Sequence, residues 1–415
     1  MIRTTHVGSL PRPAELVASL IAQHRGTPHD PDVLAAQVSA AVEDVVAAQV
    51  AAGVDIVSDG EMSKMSYTTY IRHRLSGFGK GEVPLARPAD LDAYPGLDAY
   101  FGHGGAEGRP LPPGCIGPVA VRDRTPLEAD LANFRAAVAK VRPHRGFLTA
   151  ASPGVIALFM PNAHYPSEDA YVAALADAMR DEYGAVINAG FDLQVDAPDL
   201  AMGRHTDYRA LELSEFRRLA ARNVEMLNAA TAGIPAERMR LHLCWGNYRG
   251  PHTHDVDLAD ILDIVLKARP AAILFEAANA RHGHEHAVWA ERRREIPDDK
   301  VLVPGVIDTN TNRVEHPELV AERLTTFAAI VGEERVIAGT DCGFATVANR
   351  PRVFPDLVWE KLRAQKQGAE IASARLRAKG RVAGPPGGEP PPPPPHTQGG
   401  ARGGERGGGG GAGFV

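Results

Sequence analysis

Residues 240–276 indicate the fold of this chain most clearly, and their sequence is RLHLCWGNYRGPHTHDVDLADILDIVLKARPAAILFE. Residues 240–243 form a short strand-like segment, and residues 257–268 carry the spacing of apolar side chains that an amphipathic helix requires. A second apolar run follows the helix at residues 273–275. This order predicts a strand–helix–strand unit, in which two parallel strands are joined by a helical crossover.

The same alternation extends over residues 1–378, where eight strand-like segments are interleaved with helical patterns. Eight strands that are each followed by a helix predict a (β/α)8 TIM barrel of the α/β class. The strands are predicted at residues 5–7, 55–57, 147–149, 193–195, 240–243, 273–275, 301–303 and 336–338. The main helices are predicted at about residues 31–52, 167–189, 212–232, 257–268, 317–331 and 354–377.

Two regions depart from this alternation. Residues 77–126 are rich in Gly, Pro and Asp, and they predict an insertion after the second strand, as a lid or hairpin over one mouth of the barrel. Residues 379–415 predict a disordered tail, because positions 381–415 hold 13 Gly and 8 Pro and few large apolar side chains. Residues 1–378 are therefore expected to form a single catalytic domain.

Composition excludes several classes of function. Acidic residues outnumber basic ones by 51 to 45 without a long basic run, which argues against nucleic-acid binding. We expect no membrane association, since no apolar stretch approaches the roughly 20 residues that span a bilayer and residues 1–6 lack the apolar core of a signal peptide. Only three cysteines occur in 415 residues, which predicts a reducing, cytoplasmic setting.

Polar or small residues follow the predicted strands where each strand ends. They are Gly8, Ser9, Asp59, Glu61, Ser152, Asp196, Cys244, Glu276, Asp308, Asp341 and Cys342. Active sites of TIM barrels lie at the carboxyl ends of the strands, so this pattern predicts an enzyme.

Four of these strand ends carry side chains that bind transition metals. His242 and Cys244 alternate on one strand and therefore point to the same side, while Glu276 ends the next strand and Cys342 follows the last one. One imidazole, two thiolates and a carboxylate favour Zn²⁺ over Mg²⁺ or Ca²⁺. The alternative is that both cysteines are buried hydrophobic side chains without a metal.

These residues resemble the catalytic half of cobalamin-independent methionine synthase. That family holds zinc with a His-x-Cys strand, a Glu on the next strand and a Cys in an Asp-Cys-Gly turn, which implies His242, Cys244, Glu276 and Cys342 as ligands here. Three further segments are similar to loops and strands of the family: residues 6–12, 59–61 and 193–198.

The resemblance implies transfer of a methyl group to homocysteine or a similar small thiol, activated as a zinc thiolate. The loop at Gly8 and Ser9 would hold the carboxylate of the substrate, and Glu61 and Asp196 would hold its ammonium group. The partners are thus a small thiol and an alkyl donor that the sequence does not identify.

One departure concerns the proton donor. Asn310 stands where the family has a catalytic His, and an amide does not donate a proton at neutral pH. Asp308 could act as an acid or base there or only cap the next segment. His252, His254, His282, His284 and His286 resemble a second metal cluster, but their Gly and charged neighbours favour exposed loops at the barrel mouth. One of these histidines could also supply the proton.

Two alternative functions remain open from the sequence. The single barrel also resembles epoxyalkane:coenzyme M transferase, which alkylates a different thiol. A lyase or decarboxylase on the related uroporphyrinogen-decarboxylase barrel would need no metal. Zinc content separates this last class from the two transferases.

Overall fold

The computed structural model of the chain describes residues 1–81, 86–100 and 113–382. The chain divides into two compact units, Met1–Leu376 and Arg377–Val415. Nearly all of the predicted tail, residues 383–415, lies outside the described residues, so its disorder stays a prediction. The fold and the candidate site described below belong to the first unit.

Strands and helices alternate through the first unit. The strands are β1 Arg3–Thr4, β2 Ile56–Ser58, β3 Phe78–Lys80, β4 Pro113–Cys115, β5 Arg145–Ala151, β6 Asp192–Asp196, β7 Met239–His242, β8 Ala272–Phe275, β9 Val301–Pro304 and β10 Ile337–Ala338. The helices are α1 Ala14–Arg25, α2 Pro31–Ala51, α3 Tyr67–Tyr70, α4 Ala89–Ala93, α5 Leu97–Tyr100, α6 Thr125–Val141, α7 Pro153–Phe159, α8 Glu168–Asn188, α9 Leu213–Ala230, α10 Leu258–Val265, α11 His286–Glu291, α12 Pro317–Val331 and α13 Pro355–Val382. Short 3₁₀ helices cover Ile71–His73, Pro198–Leu200, Met202–His205, Ala236–Arg238, Arg293–Glu295 and Glu333–Arg335.

The main sheet is parallel and curled. Six strands pair in the order β2-β5-β6-β7-β8-β9, and β1 pairs in parallel with β10. Isolated parallel bridges join Leu302 to Val336 and Gly305 to Gly339, which places β10 beside β9. At the other edge the Asp55 amide, just before β2, donates to the Thr4 carbonyl at 3.2 Å. The predicted α/β class with a parallel sheet is confirmed, and the predicted strands coincide with observed strands except that β1 lies at Arg3–Thr4 rather than at residues 5–7.

Helix α2 shows how the sequence sets one layer around the sheet. The Asp30 side chain caps it by accepting from the Asp32 and Val33 amides, Pro31 occupies the first turn, and Gly53 follows its end at a φ of 86°. By length and composition alone α2 could cross a membrane, with a mean hydropathy of 1.4 over its apolar window. The expectation that no stretch is long and apolar enough was therefore wrong. The helix is rich in Ala and Val, and its apolar stripe is buried against the rest of the unit.

The region after β2 is described only in part. Strands β3 and β4 form an antiparallel pair in which Phe78 lies opposite Cys115. The segments 82–85 and 101–112 between them lie outside the described residues. The role of residues 77–126 as a lid over the barrel mouth consequently stays a prediction.

A buried ion pair connects α13 to the loop after β9. Lys361 is fully buried, and its ammonium lies 2.9 Å from Oε2 and 3.1 Å from Oε1 of Glu315. Oε1 of Glu315 also accepts from the Asp308 amide at 2.9 Å. Removing one partner of such a pair leaves an uncompensated buried charge, which costs more than the pair itself contributes.

We predict that Lys361→Met destabilises the protein by about 3–5 kcal/mol, because Glu315 would keep a buried charge without its cation. Lys366→Met is the matched control, since Lys366 pairs with Asp55 at a site where both side chains are about a quarter exposed. That change should cost no more than about 1 kcal/mol. Thermal and urea unfolding of both variants give the two changes in the free energy of unfolding. Equal losses would contradict the importance of burial for the Lys361–Glu315 pair.

Candidate active site

A cavity of about 230 Å³ lies at the carboxyl ends of the strands. Six of the predicted site residues line it: Ser9, Glu61, Asp196, His242, Cys244 and Cys342. Apolar and aromatic side chains form much of the remaining wall, among them Tyr67, Phe159, Met202, Tyr248 and Val347. Sequence reasoning placed the polar residues here because they end strands, but it assigned no role to most of the wall, which comes from loops and short helices.

His242 is oriented by its neighbour on the next strand. Asp196 and His242 are register partners on β6 and β7, and the His242 Nδ1 donates to Asp196 Oδ1 at 3.0 Å. Gln194 supports this carboxylate from its own strand, with Nε2 donating to Asp196 Oδ1 at 2.9 Å. The other ring nitrogen of His242, Nε2, is buried and has no hydrogen-bond partner within the described part of the chain. A buried ring nitrogen without a partner is a free electron pair for a metal ion or a proton.

Two thiols lie beside this free nitrogen. The sulfur atoms of Cys244 and Cys342 are 3.2 Å apart, and the Gly246 amide donates to Cys244 Sγ at 3.2 Å. One ligand atom each from His242, Cys244 and Cys342 lies within 4.8 Å of the others. The hydrogen bond from the Cys342 thiol, with help from His242, lowers the pKa of Cys244 well below its usual value. Burial opposes charge on His242, but Asp196 and Cys244 raise the pKa of that imidazole to about 10.

Glu276 is close to this group but is not a member of it. Its Oε1 accepts from the Trp245 amide at 3.0 Å, and its Oε2 accepts from the Asn279 side-chain amide at 2.7 Å. Burial, with the nearby Cys244, raises the pKa of Glu276 well above that of a free carboxyl. The structure thus unites three of the four predicted ligands, and a metal role for Glu276 stays a prediction. Asn279, three residues further on, was missed because a lone Asn in a loop carries no motif.

Asp341 fixes the loop that carries Asn279. Its Oδ1 accepts from the Ala277 and Ala278 amides, each at 2.9 Å, and its Oδ2 accepts from Asn279 N at 2.9 Å and Asn279 Nδ2 at 3.1 Å. Burial raises the pKa of Asp341 to about 7 in spite of these donors. The loop after β8 is therefore held against the turn after β10, where Cys342 follows Asp341 directly.

Glu61 lines the same cavity and has a strained backbone conformation. Its φ of 57° lies in the left-handed region, which residues other than Gly rarely adopt. Thr149 Oγ1 donates to Glu61 Oε1 at 3.1 Å. Oε2 is buried, receives no hydrogen bond from any residue that the structure describes, and lies 3.9 Å from the Arg12 guanidinium. Burial raises the pKa of Glu61, and Lys64 and Arg12 act in the other direction. A second cation arriving at Oε2 would stabilise the ionised carboxylate.

The Gly8–Ser9 loop packs against Glu61. Gly8 has a φ of 152°, and a Cβ at this position would lie 2.7 Å from Thr149 Cγ2 and 2.9 Å from Glu61 Oε1. Only Gly allows this close approach. The Ser9 carbonyl accepts from the Phe344 amide at 2.9 Å, which joins the loop to the turn that carries Cys342. Ser9 lines the cavity, whereas Gly8 lies behind it as a spacer.

The two predicted catalytic residues of the loop after β9 do not line this cavity. Asp308 Oδ1 accepts from the Asn310 amide at 2.7 Å, which is a local turn contact. The Asn310 side-chain oxygen is buried and has no partner in the described ranges. Their catalytic roles remain predictions. The turn contact agrees with the second reading of Asp308, in which it caps the following segment.

The histidines expected in exposed loops divide into two groups. His284 and His286 are exposed, and His254 is about half exposed and bonded to Asp90 at 2.8 Å. His282 is buried, and His252 is only about one-eighth exposed; for these two the expectation was wrong. Both contact Asp255, whose position in the sequence gave no sign of this contact.

Comparison with known proteins bears on this site. Residues 123–359, more than half of the chain, match the family model described as the catalytic domain of cobalamin-independent synthase. The chain belongs to the cobalamin-independent synthase family. This membership confirms the predicted resemblance and makes the protein a methyltransferase.

Relatives with curated names agree over nearly the whole chain. The methionine synthase of Thermococcus kodakarensis is 25% identical over 386 residues, which is 93% of this chain and 97% of that protein. The methionine synthase of Saccharolobus islandicus is 24% identical over 386 residues, covering 92% of this chain and 97% of that protein. Among solved structures, a B12-independent methionine synthase from Shewanella sp. W3-18-1 has a TM-score of 0.70 at 20% identity, covering 91% of this chain and 99% of that one. This last likeness concerns the fold, which is of the TIM-barrel type.

We predict that Gly8→Ala lowers activity at least about 10-fold, because its Cβ would displace the Glu61 carboxylate, and that it costs about 1–3 kcal/mol of stability through backbone strain. Gly184→Ala is the control: Gly184 lies inside α8, and a Cβ there would meet no atom of the other described residues within 4 Å, apart from the backbone of its own helix. That change should stabilise the helix by about 0.5–1 kcal/mol. Unfolding curves of both variants test the predicted changes in stability, and steady-state rates test the predicted loss of activity. Full activity in Gly8→Ala would mean that the loop does not position Glu61.

Proposed function

We propose that this methyltransferase is zinc-dependent and methylates the sulfur of a small amino thiol, with homocysteine as the favoured acceptor. The observation that carries the proposal is the buried His242, Cys244 and Cys342 group at the wall of a cavity that also presents Glu61 and Asp196. We further propose that the eight parallel strands form a closed barrel, and that the enzyme acts in the cytoplasm on a thiol and an alkyl donor.

The residues present fit a zinc ion. His242 offers a buried Nε2 without a partner, its Nδ1 is fixed by Asp196, and the two thiols complete a borderline-soft set of donors. His242, Cys244 and Cys342 would hold the ion, and Glu276 is the proposed fourth ligand. When bound, Zn²⁺ would supply the positive charge that keeps a substrate sulfur deprotonated and nucleophilic near neutral pH. The chain's own residues then determine which thiol reaches that position.

Charge in the cavity favours an amino thiol over a sulfonated one. Glu61 and Asp196 both line it, and among the described lining residues there is no Lys or Arg. The free Oε2 of Glu61 is available to a substrate ammonium, which would offset the cost of burying this carboxylate. A sulfonate such as that of coenzyme M would meet two buried acids and no cation in the lining. This contrast supports homocysteine over the epoxyalkane:coenzyme M transferase alternative.

The apolar wall would serve the alkyl donor. Tyr67, Phe159, Met202 and Val347 line the same cavity as the thiols, so a methyl group delivered there would approach the sulfur through a largely water-free space. Exclusion of water protects the nucleophile from solvation and strengthens the electrostatic contacts around it. The wall favours a flat or apolar donor group without identifying the donor.

One experiment tests the function against the lyase alternative. Metal content of the purified full chain is measured, and thiols are then assayed for consumption with methyl and epoxide donors, with and without a chelator. We expect one tightly bound zinc at the His242 group and chelator-sensitive methylation of homocysteine. Absence of zinc, together with decarboxylation or lyase activity that a chelator does not affect, would refute the proposal.

We predict that Cys244→Ser and Cys342→Ser each lower zinc affinity at this group by more than about 100-fold, because loss of a ligand exceeds the roughly 10–100-fold effect of outer-sphere partners. Activity should fall in parallel, while circular dichroism stays unchanged. Cys115→Ser is the matched control, since Cys115 is a free buried cysteine in β4, which belongs to the separate two-stranded sheet with β3. Normal zinc binding in both site variants would refute the ligand assignment.

We predict that Glu61→Gln weakens an amino thiol by about 1.5–3 kcal/mol, through loss of a charge-assisted contact with the ammonium group. The same variant should hardly affect a thiol without that group, such as coenzyme M, at whatever rate it reacts. Values of kcat/KM for both acceptors, measured on one protein preparation, cancel any effect on stability. Equal losses for both would show that Glu61 only supports the fold.

A further inference from the structure

A second cluster of metal-binding side chains lies outside the cavity, at the loop that follows β7. Asp255 Oδ2 lies 2.9 Å from His252 Nδ1 and 3.0 Å from His282 Nε2. One ligand atom from each of the three residues lies within 4.8 Å of the others. Asp255 and His282 are nearly fully buried, and His252 is about one-eighth exposed. The methyl-transfer chemistry proposed above uses none of the three.

The far side of each imidazole is engaged as it is in protein metal sites. His252 Nε2 donates to the Tyr248 carbonyl at 3.1 Å, and His282 Nδ1 donates to Glu285 Oε2 at 3.1 Å. Metal-binding histidines usually donate their second N–H to a carbonyl or carboxylate, which leaves the inner nitrogen as the ligand. Here both inner nitrogens face the same carboxylate oxygen.

A second observation also points to a cation. The other oxygen of Asp255, Oδ1, is buried and has no hydrogen-bond partner among the described residues, and it lies 3.5 Å from His205 Nε2. His205 Nε2 is already committed to the Trp245 carbonyl at 2.7 Å. A buried carboxylate oxygen without a donor is costly unless a cation compensates it. In addition, His252 has a φ of 57°, and the binding of an ion would offset the energetic cost of this strained backbone conformation.

We propose that His252, Asp255 and His282 bind a second divalent transition-metal ion, distinct from the ion of the His242 group. Two imidazoles and one carboxylate form a nitrogen- and oxygen-rich set that suits Zn²⁺, Fe²⁺ or Co²⁺ rather than Ca²⁺ or Mg²⁺. Asp255 can contribute both oxygens, and water can complete the coordination. Without sulfur ligands, this site differs in chemistry from the thiolate site.

The expected role of this ion is to hold the loop that carries part of the active site. The Trp245 ring lies 4.3 Å from the His282 ring, between centroids, and the Trp245 amide donates to Glu276. Asn247 on the same loop donates to the Gly343 carbonyl at 2.7 Å. An ion joining His252 and Asp255 to His282 would therefore tie the loop after β7 to the loop after β8, beside Cys244.

The test uses the full chain stripped of metal and reconstituted with Co²⁺, combined with elemental analysis of the zinc form. We expect two ions per chain. Cys244→Ser/Cys342→Ser should retain one ion and lose the thiolate-to-cobalt charge-transfer band. His282→Gln and His252→Gln should each also retain one ion but keep that band. His284→Gln, an exposed histidine of the same segment, is the control and should retain two ions.

The outcomes distinguish this proposal from the proposed function. A single ion in the wild-type chain, lost on removing the two thiols, would overturn the second site and leave the first intact. Two ions in both His252→Gln and His282→Gln would likewise overturn it. If a variant at buried His282 fails to fold, the partly exposed His252→Gln variant still decides the count. In Cys244→Ser/Cys342→Ser, loss of the charge-transfer band with one ion remaining would show that the thiolate site has lost its ion and that the second site has kept its own.

Discussion

The hydrogen bond between Asp196 and His242 is the contact on which the candidate site depends. The two residues are register partners at the carboxyl ends of β6 and β7, so the pairing of the strands sets their separation. Because Nδ1 of His242 donates to Asp196, the free nitrogen of the ring is Nε2, on the side of Cys244 and Cys342. A one-residue slip of either strand would turn the side chain to the other face of the sheet. Backbone geometry thus fixes the direction of His242 Nε2, and Gln194 in turn holds the Asp196 carboxylate.

Around this contact the fold buries several acidic groups. Glu61, Asp196 and Glu276 are all buried at the carboxyl end of the sheet, together with two thiols. Burial raises the pKa of Glu61 and of Glu276, which means that their ionised forms are disfavoured until a cation arrives. A metal ion at the thiols and a substrate ammonium at Glu61 would each supply such a cation. The buried acids therefore favour a cationic ligand at each of these two positions.

The sequence predicted the sheet and most of the polar cavity because strand ends are local features. A residue such as Cys244, which directly follows an apolar strand, must lie at the carboxyl end of a parallel sheet, whatever path the next loop takes. The contacts of Glu276, Asp255 and His282 were not predictable in this way. They depend on the paths of the loops after β7 and β8, and no periodic pattern encodes a loop path. The prediction that no stretch is apolar enough to span a bilayer failed for a different reason. Helix α2 is rich in Ala, and such an apolar composition fits a buried helix of a globular fold as well as a membrane-spanning helix.

The Asp-Cys pair after β10 shows how one turn serves two purposes. Cys342 contributes a thiol to the group around His242, while Asp341 accepts four hydrogen bonds from the backbone and side chain of residues 277–279. Those bonds aim the Asn279 side chain at Glu276 Oε2. Glu276 is thus held between the Asn279 side chain and the Trp245 amide. Asp341 therefore helps to position Glu276, and its place beside Cys342 couples the turn after the last strand to the residue that follows β8.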